Sequence, residues 1–244
     1  MKLYVHGYSS FLSEETKDIK KILKNKYKVE TRRQDAFIHL ALYGAELLKE
    51  QIQIKEEDEL YITSGVGDID VIYKTNTCIY KENKPLQLFD FINFLGNTTS
   101  YYVAKSLGLK SKNIFQISDN FTYYYTLMSA YASICNNKND VIIGSVDLVS
   151  TPPNVIKRVL GVDESTKVVS SVNFQKFSLQ KQGAIASVEF NIDDVDESVN
   201  CKDGAFYFET KMSYMLNQAI QKGSNSILSE KNGDQIKFLK VEMI

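Results

Sequence analysis

The sequence predicts an α/β protein with a mixed sheet covered by helices, and three observations carry that prediction. Strand-like runs alternate with segments of helical periodicity as far as Asp147. The run over 140–147, Asp-Val-Ile-Ile-Gly-Ser-Val-Asp, is apolar on both faces, as in a parallel strand covered on each side by helices. Beyond it, strand-like runs follow one another with no helix between them, which predicts hairpin-like pairing.

Residues 2–8 alternate, with Leu3 and Val5 against Tyr4 and His6, and end at Gly7 before two serines; they read as a first strand. A loop and a short basic helix follow. Over 35–51, Phe37, Leu40, Ala41, Gly44, Leu47 and Leu48 recur at helical spacing with Asp35 placed to cap them. Residues 59–63 form a short apolar strand broken by Ser64-Gly65-Val66-Gly67, which matches neither a P-loop nor a dinucleotide fingerprint and reads as a strand-end turn. Pro85 opens a helical stretch in which Leu88, Phe91, Ile92, Leu95, Val103 and Leu107 keep their spacing across a break at Gly96-Asn97, and Gly108 stops it. A strand over 113–118 leads, through Asp119-Asn120, into an aromatic helix over 121–135. Strands over 168–174 and 184–191, a helix over 204–222 and a final strand over 235–243 complete one domain, 1–244, without repeat or linker.

Composition narrows the function. With 43% hydrophobic and 24% charged residues, the chain has enough apolar mass for a single large core. A net charge of −1 and lysines spread along the sequence exclude a nucleic-acid footprint. No apolar run approaches the ~20 residues of a membrane span, and the first residues read as a strand, not a signal peptide, so a soluble cytoplasmic protein is expected. Cys78, Cys135 and Cys201 lie far apart without a CxxC pair, and this fits neither a disulfide framework nor a zinc site. Asp193, Asp194, Asp196 and Glu197 lack the glycine and ligand spacing of a calcium loop. No metal and no cofactor are expected.

The stretch from Gly108 through Asn113, Ile114, Phe115, Gln116, Ile117 and Ser118 to Asn120, then a helix, then 140–147, resembles the N-terminal half of β-ketoacyl synthases of the thiolase superfamily. The resemblance extends upstream through Asn97 and Pro85, and more weakly to Arg33-Gln34-Asp35-Ala36-Phe37 with Leu40-Ala41-Leu42, covering about 1–190. It implies a thiolase-like N-terminal half-fold. In that family the nucleophilic cysteine sits at the strand-to-helix elbow, and counting forward from Gly108 or backward from Asp140 puts its position at Asn120.

A ketosynthase elbow holds a thiolate at a helix N-terminus, where the dipole and free N–H groups lower its pKa and stabilise an oxyanion. Asparagine supplies no such nucleophile, and a one-residue shift to Asp119 or Phe121 supplies none either. Phe121, Tyr123, Tyr124 and Tyr125 stand where the family has small residues, and are expected to fill the pocket. The family draws its catalytic histidines from the second half, and the resemblance ends before it. The two histidines of this chain, His6 and His39, both lie near the N-terminus and read as structural or surface residues.

The resemblance implies an inactive ketosynthase-like subunit, similar to the chain-length factors that carry glutamine at the cysteine position in type II polyketide systems, and to the short ketosynthase-like proteins of aryl-polyene clusters. It implies a heterodimer with a full-length β-ketoacyl synthase through 113–118, with Ile114, Phe115 and Ile117 on the dimer strand and the acyl carrier protein engaged only indirectly. Phe89, Phe91 and Phe94 become candidates for closing the partner's acyl tunnel, against ordinary core packing. Two alternatives stay open: a homodimeric, non-catalytic acyl- or acyl-carrier-binding module, and an enzyme using Ser118, Asp119 and Asn120 for another reaction.

Overall fold

The computed structural model describes residues 1–13, 18–118, 120–149, 152–192, 195, 198–201 and 206–244. The chain runs β1 (Lys2–Ser13), α1 (Ile19–Ile22) continued by a π-helical turn (Leu23–Tyr27), α2 (Ala36–Lys49), β2 (Glu59–Ser64), α3 (Ile69–Asn76) continued by a second π-helical turn (Thr77–Lys81), and α4 (Leu88–Phe94). Then come α5 (Gly96–Leu107), β3 (Asn113–Ile117), α6 (Thr122–Asn137), β4 (Val141–Asp147), α7 (Pro153–Leu160), β5 (Ser170–Ser178) and β6 (Ala186–Phe190). The last elements are β7 (Val199–Asn200), α8 (Lys211–Lys222), β8 (Ser226–Asn232) and β9 (Gln235–Met243). The acidic residues Asp193, Asp194, Asp196 and Glu197, and Asp119, lie outside the described residues, as does Gly204; the last helix, expected from Gly204, begins only at Lys211, because 206–210 are not helical.

The strands form one mixed sheet in the order β3-β2-β4-β5-β1-β6-β9-β8-β7. β2 is parallel to β3 and β4, and β5 runs antiparallel to β4 and β1. Strands β6, β9, β8 and β7 continue the same sheet past β1.

Pairing beyond β4 differs from the sequence expectation. β5 and β6 do not form a hairpin: β1 lies between them, with Val5 opposite Phe177 on one side and Ala186 on the other. β1 also runs to Ser13, past Gly7, where a register shift between Val5 and Gly7 absorbs the irregularity.

Side chains alternate across the sheet and fill two cores. On one face Leu60, Ile62, Ile142, Val146, Val172 and Phe174 pack against α2 and α5. On the other, Tyr61, Val141, Ile143, Phe177, Val188 and Val241 pack against α6 and α8. α2 is capped as expected, with Asp35 accepting the Ile38 N–H at 2.9 Å. It approaches the sheet closely through Gly44, where a Cβ would come within 2.3 Å of the Val172 side chain.

Candidate functional site

β3 ends at Ile117 and α6 begins at Thr122, so Asn120 falls in the elbow between them. Phe121, the residue that caps α6, has a left-handed backbone (φ 53°), a conformation a non-glycine residue adopts only under constraint. Ser118 Oγ donates to the Asn120 carbonyl at 3.0 Å, and Thr122 Oγ1 donates back to the Ser118 carbonyl at 2.6 Å. α6 has no side-chain cap, so its first N–H groups keep the donor character of a helix N-terminus.

The Asn120 side chain is half-buried and is held by Asn232, whose Nδ2 donates to Asn120 Oδ1. Asn232 closes β8 and opens the two-residue turn Gly233-Asp234 into β9, with Gly233 left-handed at φ 58°. The tip of the β8–β9 hairpin therefore rests on the elbow. An amide paired with an amide offers neither a nucleophile nor a base.

Behind the elbow the space is filled. Phe121, Tyr123 and Tyr124 are buried and Tyr125 is half-buried, all within the core under α6 and α8. Tyr123 Oη donates to Gln175 Oε1 at 3.0 Å, and Gln175 Nε2 donates to Ser213 Oγ at 3.0 Å and Asn217 Oδ1 at 2.8 Å. Burial holds the Tyr123 phenol far above its ordinary pKa, so it stays a neutral donor. The Asn191 N–H donates to Tyr124 Oη at 2.8 Å, and Lys237 Nζ lies 5.7 Å from the Tyr124 ring centre.

The two histidines are not at the elbow. His6 Nε2 contacts Ser178 Oγ at 2.7 Å, at the end of the sheet where β4 begins, whereas the elbow follows the opposite end of the parallel strands. His39 is buried on α2 and contacts the Thr31 carbonyl at 3.3 Å. Both have structural partners.

The strand expected to dimerise, β3, is the edge of the sheet and pairs only with β2 among the described residues. Its outer row of N–H and C=O groups is open to another strand. Ile114 packs toward α6, Phe115 toward α5, and Ile117 is 49% exposed. Beside this edge α4 buries none of its residues: Phe89, Phe91 and Phe94 are 37%, 50% and 45% exposed, and the next residues on either side, Leu88 and Leu95, are exposed as well. Ordinary core packing is thus not the role of these three rings in the isolated chain. The Arg33 guanidinium stacks over Phe89 at 4.2 Å.

Beneath α4 a cavity of about 390 Å3 separates the N-termini of α2 and α3. Asp35 caps α2, and Asp68 caps α3 by accepting the Val71 N–H at 3.1 Å. The second oxygen of each carboxyl, Asp35 Oδ2 and Asp68 Oδ2, is buried without a donor from another group, and the two carboxyls act on each other. Burial, then the Asp35 charge, pushes Asp68 up to about 9, and burial raises Asp35 as well. Nearby, the Asp147 carboxylate at the end of β4 accepts from the Gly65 N–H at 3.0 Å and from the N–H and hydroxyl of Thr210 at 2.9 and 2.6 Å. The Ser64–Gly67 segment is the strand-end turn expected, and it is tied to the start of α8.

The partner of Asn120 was missed by sequence reasoning. The available signal was Asn232-Gly233-Asp234, a hairpin turn sequence, but nothing local links it to a residue in the elbow.

No family model matches the sequence, and no curated protein matches it. Solved structures do match in fold. The ishigamide ketosynthase/chain length factor superposes with a TM-score of 0.75 at 10% identity, over 100% of both chains. The ketosynthase ApeO in complex with its chain length factor ApeC from Xenorhabdus doucetiae gives 0.67 at 12% identity over 99% of each chain. A β-ketoacyl synthase from Burkholderia phymatum gives 0.67 at 9% identity, over 100% of this chain and 99% of that one. The fold is that of the thiolase-like ketosynthases and their chain-length-factor complexes. The sequence resemblance fades near residue 190, whereas the structural likeness continues to the end through β9 and α8.

Among the described residues no helix is long and apolar enough to cross a membrane.

Proposed function

We propose that this chain is a non-catalytic, chain-length-factor-like partner of an active β-ketoacyl-acyl-carrier-protein synthase in fatty-acid, polyene or polyketide assembly. The observation that supports the reading is the elbow: Asn120, read as the position of the family's nucleophile, has its amide joined to Asn232 and is backed by buried rings. Such a site binds no acyl chain covalently, so the condensing chemistry belongs to the partner. The open edge of β3 and the exposed rings of α4 supply the surface that association covers. In the complex Phe89, Phe91 and Phe94 form the end wall of the partner's tunnel, and the carrier protein delivers its acyl group to the partner.

Co-expression with a full-length ketosynthase, followed by native mass spectrometry and product analysis, tests this. A 1:1 complex is expected, and alanine at Phe89, Phe91 or Phe94 lengthens its products without slowing the first condensation. Unchanged product length for all three variants in an assembled complex removes the tunnel-wall role. A chain that only self-associates through β3 points instead to the homodimeric acyl-binding module.

A further inference from the structure

The side chain that holds Asn120 belongs to the only asparagine of this chain that is followed by glycine, Asn232 before Gly233. That step is chemically weak. The backbone nitrogen after an asparagine can attack the side-chain carbonyl carbon, and a side chain on the following residue obstructs the approach; glycine has none. The fold leaves the attack open. Asn232 is the last residue of β8, and Gly233 and Asp234 are exposed in the turn. The Gly233 N–H donates no hydrogen bond among the described residues, and a Cβ at Gly233 would meet nothing within 4 Å. One bond restrains the leaving group: Asn232 Nδ2 donates to Asn120 Oδ1.

The step balances with water alone. The Gly233 nitrogen gives its proton to a base in solvent and bonds to Asn232 Cγ; the Cγ–Nδ2 bond breaks and the amide leaves as ammonia. Water then opens the cyclic imide at one of its two carbonyls, leaving aspartate or isoaspartate at 232. In either product a carboxylate replaces the amide donor. Near neutral pH it has no proton to give, so Asn120 Oδ1 faces a second acceptor and the contact turns repulsive. Isoaspartate also lengthens the backbone by one carbon at the closing pair of the hairpin, Asn232 with Gln235.

We infer that Asn232 is a site of spontaneous deamidation, and that the reaction releases the tip of the β8–β9 hairpin from the elbow. The contact then works in both directions. Asn232 holds the hairpin on the elbow, and Asn120 slows the loss of the Asn232 amide by keeping it in place.

The test incubates the full chain at pH 8 and 37 °C and follows each asparagine by peptide mass spectrometry. A mass gain of one dalton is expected at Asn232 well ahead of Asn225, an exposed asparagine followed by serine. Gly233→Asn keeps a residue that tolerates a left-handed backbone while screening the nitrogen, and should slow the gain at least fivefold. Asn120→Ala removes the restraint on the leaving group and should speed it at least twofold. Hydrogen exchange reads the consequence: Asn232→Asp should exchange faster than wild type at 120–123 and 233–235. Aged against fresh wild-type chain gives the same comparison if that variant does not fold. A gain at Asn232 no faster than at Asn225, a rate that Asn120→Ala leaves unchanged, or equal exchange at 120–123 overturns the inference. The assay contains no ketosynthase, so its failure leaves the proposed partnership standing.

Discussion

Replacing Asp68 with asparagine should stabilise this protein, and increasingly so as the pH rises. Asp68 is held up to about 9 in the folded chain against an ordinary 3.8, by burial first and by the Asp35 charge second. Across that window the folded state keeps a proton that the unfolded state releases. A raised carboxyl pKa gives a contribution fully present at low pH and progressively lost as pH climbs toward 9. The slope is one proton, about 1.4 kcal/mol per pH unit. Asparagine carries no proton to hold. Its Oδ1 still accepts from the Val71 N–H, so the cap on α3 survives. The difference in unfolding free energy, variant minus wild type, should grow by about 3 kcal/mol between pH 5.5 and 7.5. Urea titrations of both proteins at pH 5.5, 6.5 and 7.5 and constant ionic strength measure it directly. A difference flat in pH, or a variant weaker than wild type at pH 7.5, would refute the retained proton on Asp68. Asp68→Ala separates the two roles, because it also loses the cap, at a cost of about 1 kcal/mol.

Two further outcomes are expected. Lys176→Met should cost roughly 3–5 kcal/mol in chemical denaturation, because it leaves Asp58 buried without the ammonium that sits 2.6 Å away and also reaches Asp140 at 3.3 Å; adding Asp58→Asn should recover part of the loss, and no recovery would assign the cost to packing. Asn120→Cys should give no condensation of a malonyl thioester by the isolated chain, since neither histidine is at the elbow and the rings behind it are buried; turnover above the rate without protein would contradict this.

What the sequence made legible was local. The cap at Asp35, the helix over α2, the buried β4, the stop at Gly108 and the final strand β9 are set by neighbours a few residues apart, and each stands where its pattern places it. The elbow that holds Asn120 was legible because it is framed on both sides by local signals, the Gly108 turn and the apolar run of β4. α3 and α7 escaped notice because each spans only eight residues, too short for periodicity to show. The pairing of β1 between β5 and β6, and the reach of Asn232 to Asn120, depend on residues more than a hundred positions apart. No pattern along the chain records such contacts.

The central place of β1 has a consequence for how the chain is made. β1 leaves the ribosome well before its partner strand β5, which spans Ser170–Ser178, and Tyr4 pairs with Ser178 itself. At translation speeds of about 5–20 residues per second, some 10–30 s pass before that strand exists. During this interval Leu3 and Val5 have no sheet to enter, and β4 has only one of its two neighbours. The sheet therefore closes late and as a unit, at the high contact order that slows folding. Substitutions in β1 that raise its β-propensity would prolong an exposed, sticky strand in the nascent chain, so their first effect would fall on the yield of folded protein during synthesis.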